Sequence, residues 1–140
     1  MMRVFLGGTC NESKWRTVAS ERLTRLGIDF FNPVVDDWND AAREREITER
    51  ETCDFCLYVI TPLMTGVYSI AEAVDDSNKR PSQTVFVRMR QDGHERFDDG
   101  QWRSLGAVCD LVKRNGAQAF DSMIAAVEWI HCEAQRVRDE

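Results

Sequence analysis

Phe55-Cys56-Leu57-Tyr58-Val59-Ile60 is an unbroken run of six apolar or aromatic residues, closed by Thr61-Pro62. Such a run is short for a helix. Its apolar character on every residue, not on alternate ones, means that a strand here must be covered on both faces. Two shorter runs, Val4–Leu6 and Thr84–Val87, have the same character, and each is bounded by turn or polar residues. Weaker strands are expected at Asp29–Phe31, ended by Asn32-Pro33, and at Ala117–Phe120. Strands buried on both sides belong to a parallel sheet sandwiched between helices.

Helical patterns separate the runs. Residues 13–26 carry Trp15, Val18, Ala19, Leu23 and Leu26 near helical spacing, with Gly27 as the stop. Residues 40–53 follow Asn39 or Asp40 as a cap and are mostly charged. Ser69 to about Asn78 reads as a third helix. Residues 101–115 form a fourth, stopped at Asn115-Gly116, and residues 122–137 a fifth, capped by Asp121. This βα alternation predicts an α/β chain with right-handed crossovers: a flavodoxin-like, doubly wound, mostly parallel five-stranded sheet with helices on both faces. At 140 residues the chain fits one domain, 1–140. Arg88–Gly100, rich in Arg, Asp and Gly, reads as a mobile surface loop. In such sheets ligands bind beyond the carboxyl ends of the strands, which directs attention to Gly7–Ser13, Asn32–Asn39, Thr61–Ser69 and Arg88–Gly100.

Charge narrows the partners. Eighteen basic against 24 acidic side chains leave a net charge of −6, so no basic face is expected for duplex nucleic acid. A small phosphate ligand needs only a loop and a helix N-terminus. No apolar run approaches the ~18 residues of a membrane span, and the opening Arg3-Val4-Phe5-Leu6 reads as a strand, not a secretory leader. The five cysteines, an odd number, then suggest reduced thiols and a cytoplasmic protein. Cys53 and Cys56 form a C-x-x-C, but no second pair supplies a metal site, and the motif runs into a strand. Buried, inert thiols are expected, with no metal and no cofactor.

Several motifs could carry chemistry. Gly7-Gly8-Thr9 follows the first strand, where small residues let backbone N–H groups approach a ligand. It is neither a dinucleotide fingerprint nor a P-loop. Ser69-Ile70-Ala71-Glu72 opens the third helix. The pattern is foremost that of a capping box, in which Ser69 and Glu72 satisfy each other's backbone N–H; the second reading is a carboxylate held in a cleft. Asp36 to Asp54 contains eight carboxylates and three arginines. Glu46 and Arg50 are spaced for a helical ion pair. Ile47 is almost the only large apolar residue on that helix, so the helix should face a polar cleft or a partner subunit. His94 and His131 offer no triad.

Four of these features, in order, resemble the nucleoside 2-deoxyribosyltransferase family and its nucleotide N-glycosidase relatives. They are Val4-Phe5-Leu6-Gly7-Gly8-Thr9, Phe31-Asn32-Pro33 with Trp38, Glu46 eight residues before Asp54, and Glu72 at the position of the family's nucleophilic glutamate. The resemblance spans roughly residues 3–88. Departures are Phe5 where tyrosine is frequent, Val74 where glycine is usual, and Glu46 where aspartate is more common. Asn11 stands where monophosphate-specific relatives carry an arginine, with Lys14 and Arg16 nearby.

The resemblance implies cleavage or transfer at the N-glycosidic bond of a (deoxy)nucleoside or nucleotide. Glu72 would attack the anomeric carbon through an oxocarbenium-like transition state, giving a covalent glycosyl-enzyme, and Glu46 would act as the acid. Phe5, Gly7, Gly8, Thr9, Asn32, Trp38, Asp54 and Ser69 would bind substrate or support the site. A homodimer or higher oligomer is implied as well. Two other readings stand beside this one: a catalytically silent nucleotide-binding module, and, by analogy of fold, an NAD-type glycohydrolase.

Overall fold

The computed structural model describes residues 2–140. Its main sheet comprises β1 (Arg3–Gly8), β2 (Asp29–Phe31), β3 (Phe55–Ile60), β4 (Thr84–Arg88) and β7 (Gln118–Phe120). All neighbours are parallel, in the order β2-β1-β3-β4-β7. Counting these five strands alone, this is the 2-1-3-4-5 order of flavodoxin-like folds. The helices are α1 (Trp15–Arg25), α2 (Asp40–Thr52), α3 (Tyr68–Lys79), α4 (Asp99–Arg114) and α5 (Met123–Asp139). Among the described residues no helix is long and apolar enough to cross a membrane.

The apolar run Phe55–Ile60 is buried at every position. Phe55, Leu57 and Val59 point to one side and pack with Ala19 and Leu23 of α1 and with Val127 and Ile130 of α5. Cys56, Tyr58 and Ile60 point to the other, with Ala73 of α3 and with Leu105 and Val112 of α4. Strand periodicity of two thus feeds two separate cores from one segment. Each fully buried large side chain contributes about 1.5–3 kcal/mol. Cys53 and Cys56 are buried and unpaired, and burial pushes both thiols up to about 12, well away from a reactive thiolate.

Three expectations are corrected. Arg88–Gly100 is not a loop throughout: β5 (Gln91–Asp92) and β6 (Glu95–Arg96) form an antiparallel hairpin. Buried Phe97 and a bond from Ser13 Oγ to Asp92 hold it in place. The fourth helix starts earlier than residue 101, with a capping box between Asp98 and Gln101 (3.0 and 2.7 Å). Asp121 does not cap α5, because Arg88 Nε holds its carboxylate at 2.9 Å. Ser122 caps instead, accepting from Ala125 N at 3.2 Å.

Two left-handed glycines differ in what surrounds them. Gly8 (φ +122°) ends β1 so close to β3 that a Cβ would lie 2.1 Å from the Val59 carbonyl oxygen. Gly27 (φ +72°), after α1, has nothing within 4 Å. Gly8→Ala should therefore cost about 2–5 kcal/mol, combining backbone strain with overpacking. Gly27→Ala should cost only the conformational penalty, about 1–2 kcal/mol. Urea denaturation of the two variants checks this, and equal losses would show that the approach of β1 to β3 is not tight.

Candidate active site

The strand order reverses at β1 and β3, and the cleft opens there, at the carboxyl ends of the strands. Its volume is about 330 Å³, at the lower end of the ~300–1,000 Å³ typical of small-molecule sites. Gly7, Gly8 and Cys10 come from the end of β1 and its loop. Pro33, Val34, Val35 and Trp38 come from the loop after β2, Arg16 from α1, Glu46 from α2, and Ser69 and Glu72 from α3.

Each wall has a local cause. Neither glycine could carry a side chain: a Cβ on Gly7 would lie 2.6 Å from the Tyr58 ring, and one on Gly8 would strike the backbone of Val59. Thr9 ties the loop down. Its N–H donates to Val59 O (2.9 Å), and its hydroxyl accepts from Thr61 N (2.9 Å). Arg16, though a cation in the cleft wall, donates to the carbonyls of Leu6 (3.1 Å), Gly8 (3.1 Å) and Thr9 (2.6 Å). It functions as a clamp on the first loop, and burial lowers its pKa from the ordinary value. Asn32 Oδ1 accepts from Val34 N at 3.0 Å and shapes the turn that carries Pro33–Val35.

Glu72 is the central group. It is only 9% exposed and stands 3.6 Å from Arg50 Nη1. The capping-box expectation fails here. Helix α3 begins at Tyr68 with Val67 as its N-cap and no side-chain cap, so Ser69 and Glu72 both lie inside the helix. The Ile70 N–H is taken by Val67 O (3.0 Å). Glu72 turns toward the cleft and Arg50 instead of its own backbone. Arg50 in turn leaves its expected helical partner Glu46 and reaches across to α3. It donates to Asp76 (3.1 and 3.2 Å) and Asp75 (3.0 Å). Asp76 is fully buried, receives the Tyr58 hydroxyl and pairs with Arg80.

The electrostatics follow from this packing. Burial pushes the Glu72 carboxyl up to about 7; Arg50 opposes the rise, whereas Glu46 and Asp76 add to it. Burial also raises Glu46, against the pull of Arg50 and Arg16. Two carboxyls with raised proton affinity thus share one small cleft, an arrangement suited to acid–base and nucleophilic work.

The structure brings Gly7, Gly8, Trp38, Glu46, Ser69 and Glu72 together. Thr9 lines an adjoining pocket of about 170 Å³ that shares Gly8, Cys10 and Ser69. Phe5 is 1% exposed and lies beneath the site, stacked on Phe31 at 6.1 Å. Asp54 is elsewhere. It precedes β3, at the opposite end of the sheet, where its carboxylate accepts from Arg3 N at 2.8 Å. Beyond the lining residues Cys10, Pro33, Val34 and Val35, Arg50 is the charged residue beside Glu72 that sequence reasoning missed as part of the site. Its one signal was the excess of carboxylates on a helix with few core residues, and that helix indeed has no buried residue.

The raised Glu72 carboxyl has a consequence for stability. Its folded value lies above the ordinary 4.5, so the native state holds the proton that the unfolded chain releases. Stability is lost as pH rises from about 4.5 through 7 and stays lost above it. Gln mimics the protonated form. Glu72→Gln should thus stabilise the fold by as much as about 3 kcal/mol at pH 8, with little gain at pH 4.5. Melting curves at the two pH values test it; a gain independent of pH would contradict the burial of an ionisable carboxyl.

No curated protein matches the chain. The family described as "Nucleoside 2-deoxyribosyltransferase like" matches residues 1–88, from the first strand to the last residue of β4, and so takes in every wall of the cleft. On that match, with the fold and the cleft at its switch point, the chain belongs to the nucleoside 2-deoxyribosyltransferase-like family.

Proposed function

We propose that this protein breaks the N-glycosidic bond of a nucleoside, through a covalent glycosyl intermediate on Glu72. The observation that carries the reading is a carboxylate buried at the floor of a cleft, paired with one arginine and facing a second carboxyl. In the first step a Glu72 oxygen bonds to the anomeric carbon as the C–N bond breaks, and the electron pair leaves with the base. Glu46 supplies the proton that the departing nitrogen needs. In the second step the glycosyl group passes to water or to another base, and the Glu72 carboxylate is restored.

Three features favour a small, unphosphorylated nucleoside. The cleft is small for a dinucleotide, which weighs against an NAD-type substrate. It carries Glu46 and Glu72, while Arg16, its cation, is spent on backbone carbonyls. An incoming 5′-phosphate would meet repulsion that a neutral sugar avoids. Trp38, 55% exposed at the rim, offers a face on which a base can stack.

Glu72→Gln should abolish base release, and Glu46→Gln should lower it by about 10²–10⁴-fold, the range for a general acid. The assay follows free base by chromatography across deoxynucleosides, ribonucleosides, their monophosphates and NAD, with and without an acceptor base. Release that needs Glu72 supports the reading, and exchange of bases makes the protein a transferase. Binding without turnover would replace the reading with a silent nucleoside-binding module.

The same reading includes a homodimer. Val34, Val35, Trp38, Ile47, Val67 and Tyr68 are all exposed, on the elements that surround the cleft. A second copy over this rim would cover helix α2 and close the site. Sedimentation should show a dimer, and Ile47→Glu with Val67→Glu should yield a folded monomer. A wild-type monomer at assay concentrations would remove this part of the reading.

A further inference from the structure

The Arg50 guanidinium is held more firmly than a surface ion pair requires. Its Nε and Nη2 bond to the buried Asp76, and Nη2 also reaches Asp75. Its backbone carbonyl accepts from Arg80 Nη1 at 2.7 Å and from the Cys56 thiol. Asp76 is itself fixed from two further sides, by the Tyr58 hydroxyl and by Arg80. Asp76 would be paired without Arg50, since Arg80 already pairs with it. Beyond its bond to Asp75, what Arg50 adds is Nη1, which lies 3.6 Å from Glu72 Oε2.

We infer that Arg50 is the positioning residue of the nucleophile, favouring the charged form of the Glu72 carboxylate and keeping it facing the cleft from a seat built by Asp76, Tyr58 and Arg80. The separation matters. At 3.6 Å the arginine attracts the carboxylate without a short hydrogen bond, which would tie up the oxygen that must attack. The groups that face Glu72 are Glu46 and Arg50 from α2 and Asp76 from its own helix. Glu46 and Asp76 disfavour its charge, so Arg50 is the one member of this set that supports it. Arg16, from α1, acts on Glu46.

The arrangement suits both halves of the proposed reaction, on which this inference rests. When the C1′–O bond to Glu72 forms and the base leaves, the carboxylate charge is consumed. Arg50 still faces Asp75 and Asp76, so no cation is orphaned. When water attacks C1′, the ester bond breaks and its electron pair returns to Glu72, where Arg50 stabilises the departing carboxylate. The water proton passes to Glu46. The phenol of Tyr58 takes no part in either step, because its hydroxyl is given to Asp76.

The test compares wild type with Arg50→Met and Arg50→Lys. Methionine removes the charge. Lysine keeps a charge, but its single ammonium does not reproduce a fork that serves Asp76 and Glu72 together. The substrate is a deoxynucleoside with an N7-methylated, cationic purine, whose base leaves without a proton, so the rising limb of kcat/KM with pH needs no proton from Glu46 and reports the ionisation of Glu72 in the field of its neighbours. In parallel, carboxyl ¹³C shifts, assigned by loss of the signal in Glu72→Gln, follow its titration without turnover.

Arg50→Met should move both the limb and the titration to higher pH by about one unit or more, roughly a tenfold loss of kcat/KM below the limb. Arg50→Lys should move both by less. A purely structural arginine would lower the melting temperature and leave the two midpoints in place, and that result in either folded variant overturns the inference. Should Arg50→Met fail to fold, Arg50→Lys decides alone. A moved carboxyl titration in a protein with no base release would instead overturn the glycosidic reading and keep the coupling of Arg50 to Glu72.

Discussion

The approach of β1 to β3 governs the rest of the molecule. Gly8 brings its backbone against Val59 where no side chain could fit, and Gly7 leaves room for the Tyr58 ring. Because the strands come this close, the first loop folds over the end of β3, tied by Thr9 to Val59 and Thr61. Arg16 then finds three carbonyls to bind, and the floor of the cleft is set. Across the same pairing, Tyr58 is placed under α3, where its hydroxyl meets Asp76.

A second constraint is electrostatic. Helices α2 and α3 bring Glu46, Glu72, Asp75 and Asp76 near one another, and Arg50 and Arg80 answer them. An uncompensated buried carboxylate is costly, and the molecule resolves this in two ways. Asp76, fully buried, is satisfied by two arginines and a phenol. Glu72, closer to solvent, is left with one arginine at a distance and keeps a high affinity for its proton. On the proposed function, stability lost at that position would leave a carboxylate oxygen free for chemistry.

The architecture was readable because its signals are local and redundant. Unbroken apolar runs marked β1, β3 and β4, and Asp29–Phe31 ended where Asn32-Pro33 said it would. Boundaries slipped where two partners compete for one group. Asp121 looked like a cap but is bound by Arg88, and Ser69 with Glu72 looked like a capping box but sits within a helix that starts at Tyr68. The hairpin at Gln91–Arg96 escaped notice because its strands are two residues long and depend on Phe97 and Ser13 as anchors.

By itself the sequence determined the class of fold, three of the four loops expected at the cleft (Arg88–Gly100 contributes nothing to it), and the types of residue available there, since periodicity and turn chemistry are properties of neighbours in the chain. Tertiary structure alone decided which of those residues meet. Asp54 and Glu46 are eight apart in sequence, yet one lies at the far end of the sheet and the other in the cleft, because helix and strand geometry send them in opposite directions. The choice of Arg50 between Glu46 on its own helix and Asp76 on another was likewise settled only in the fold. There, α2 packs against α3 so that Arg50 joins Arg80 at the fully buried Asp76 and stands 3.6 Å from Glu72.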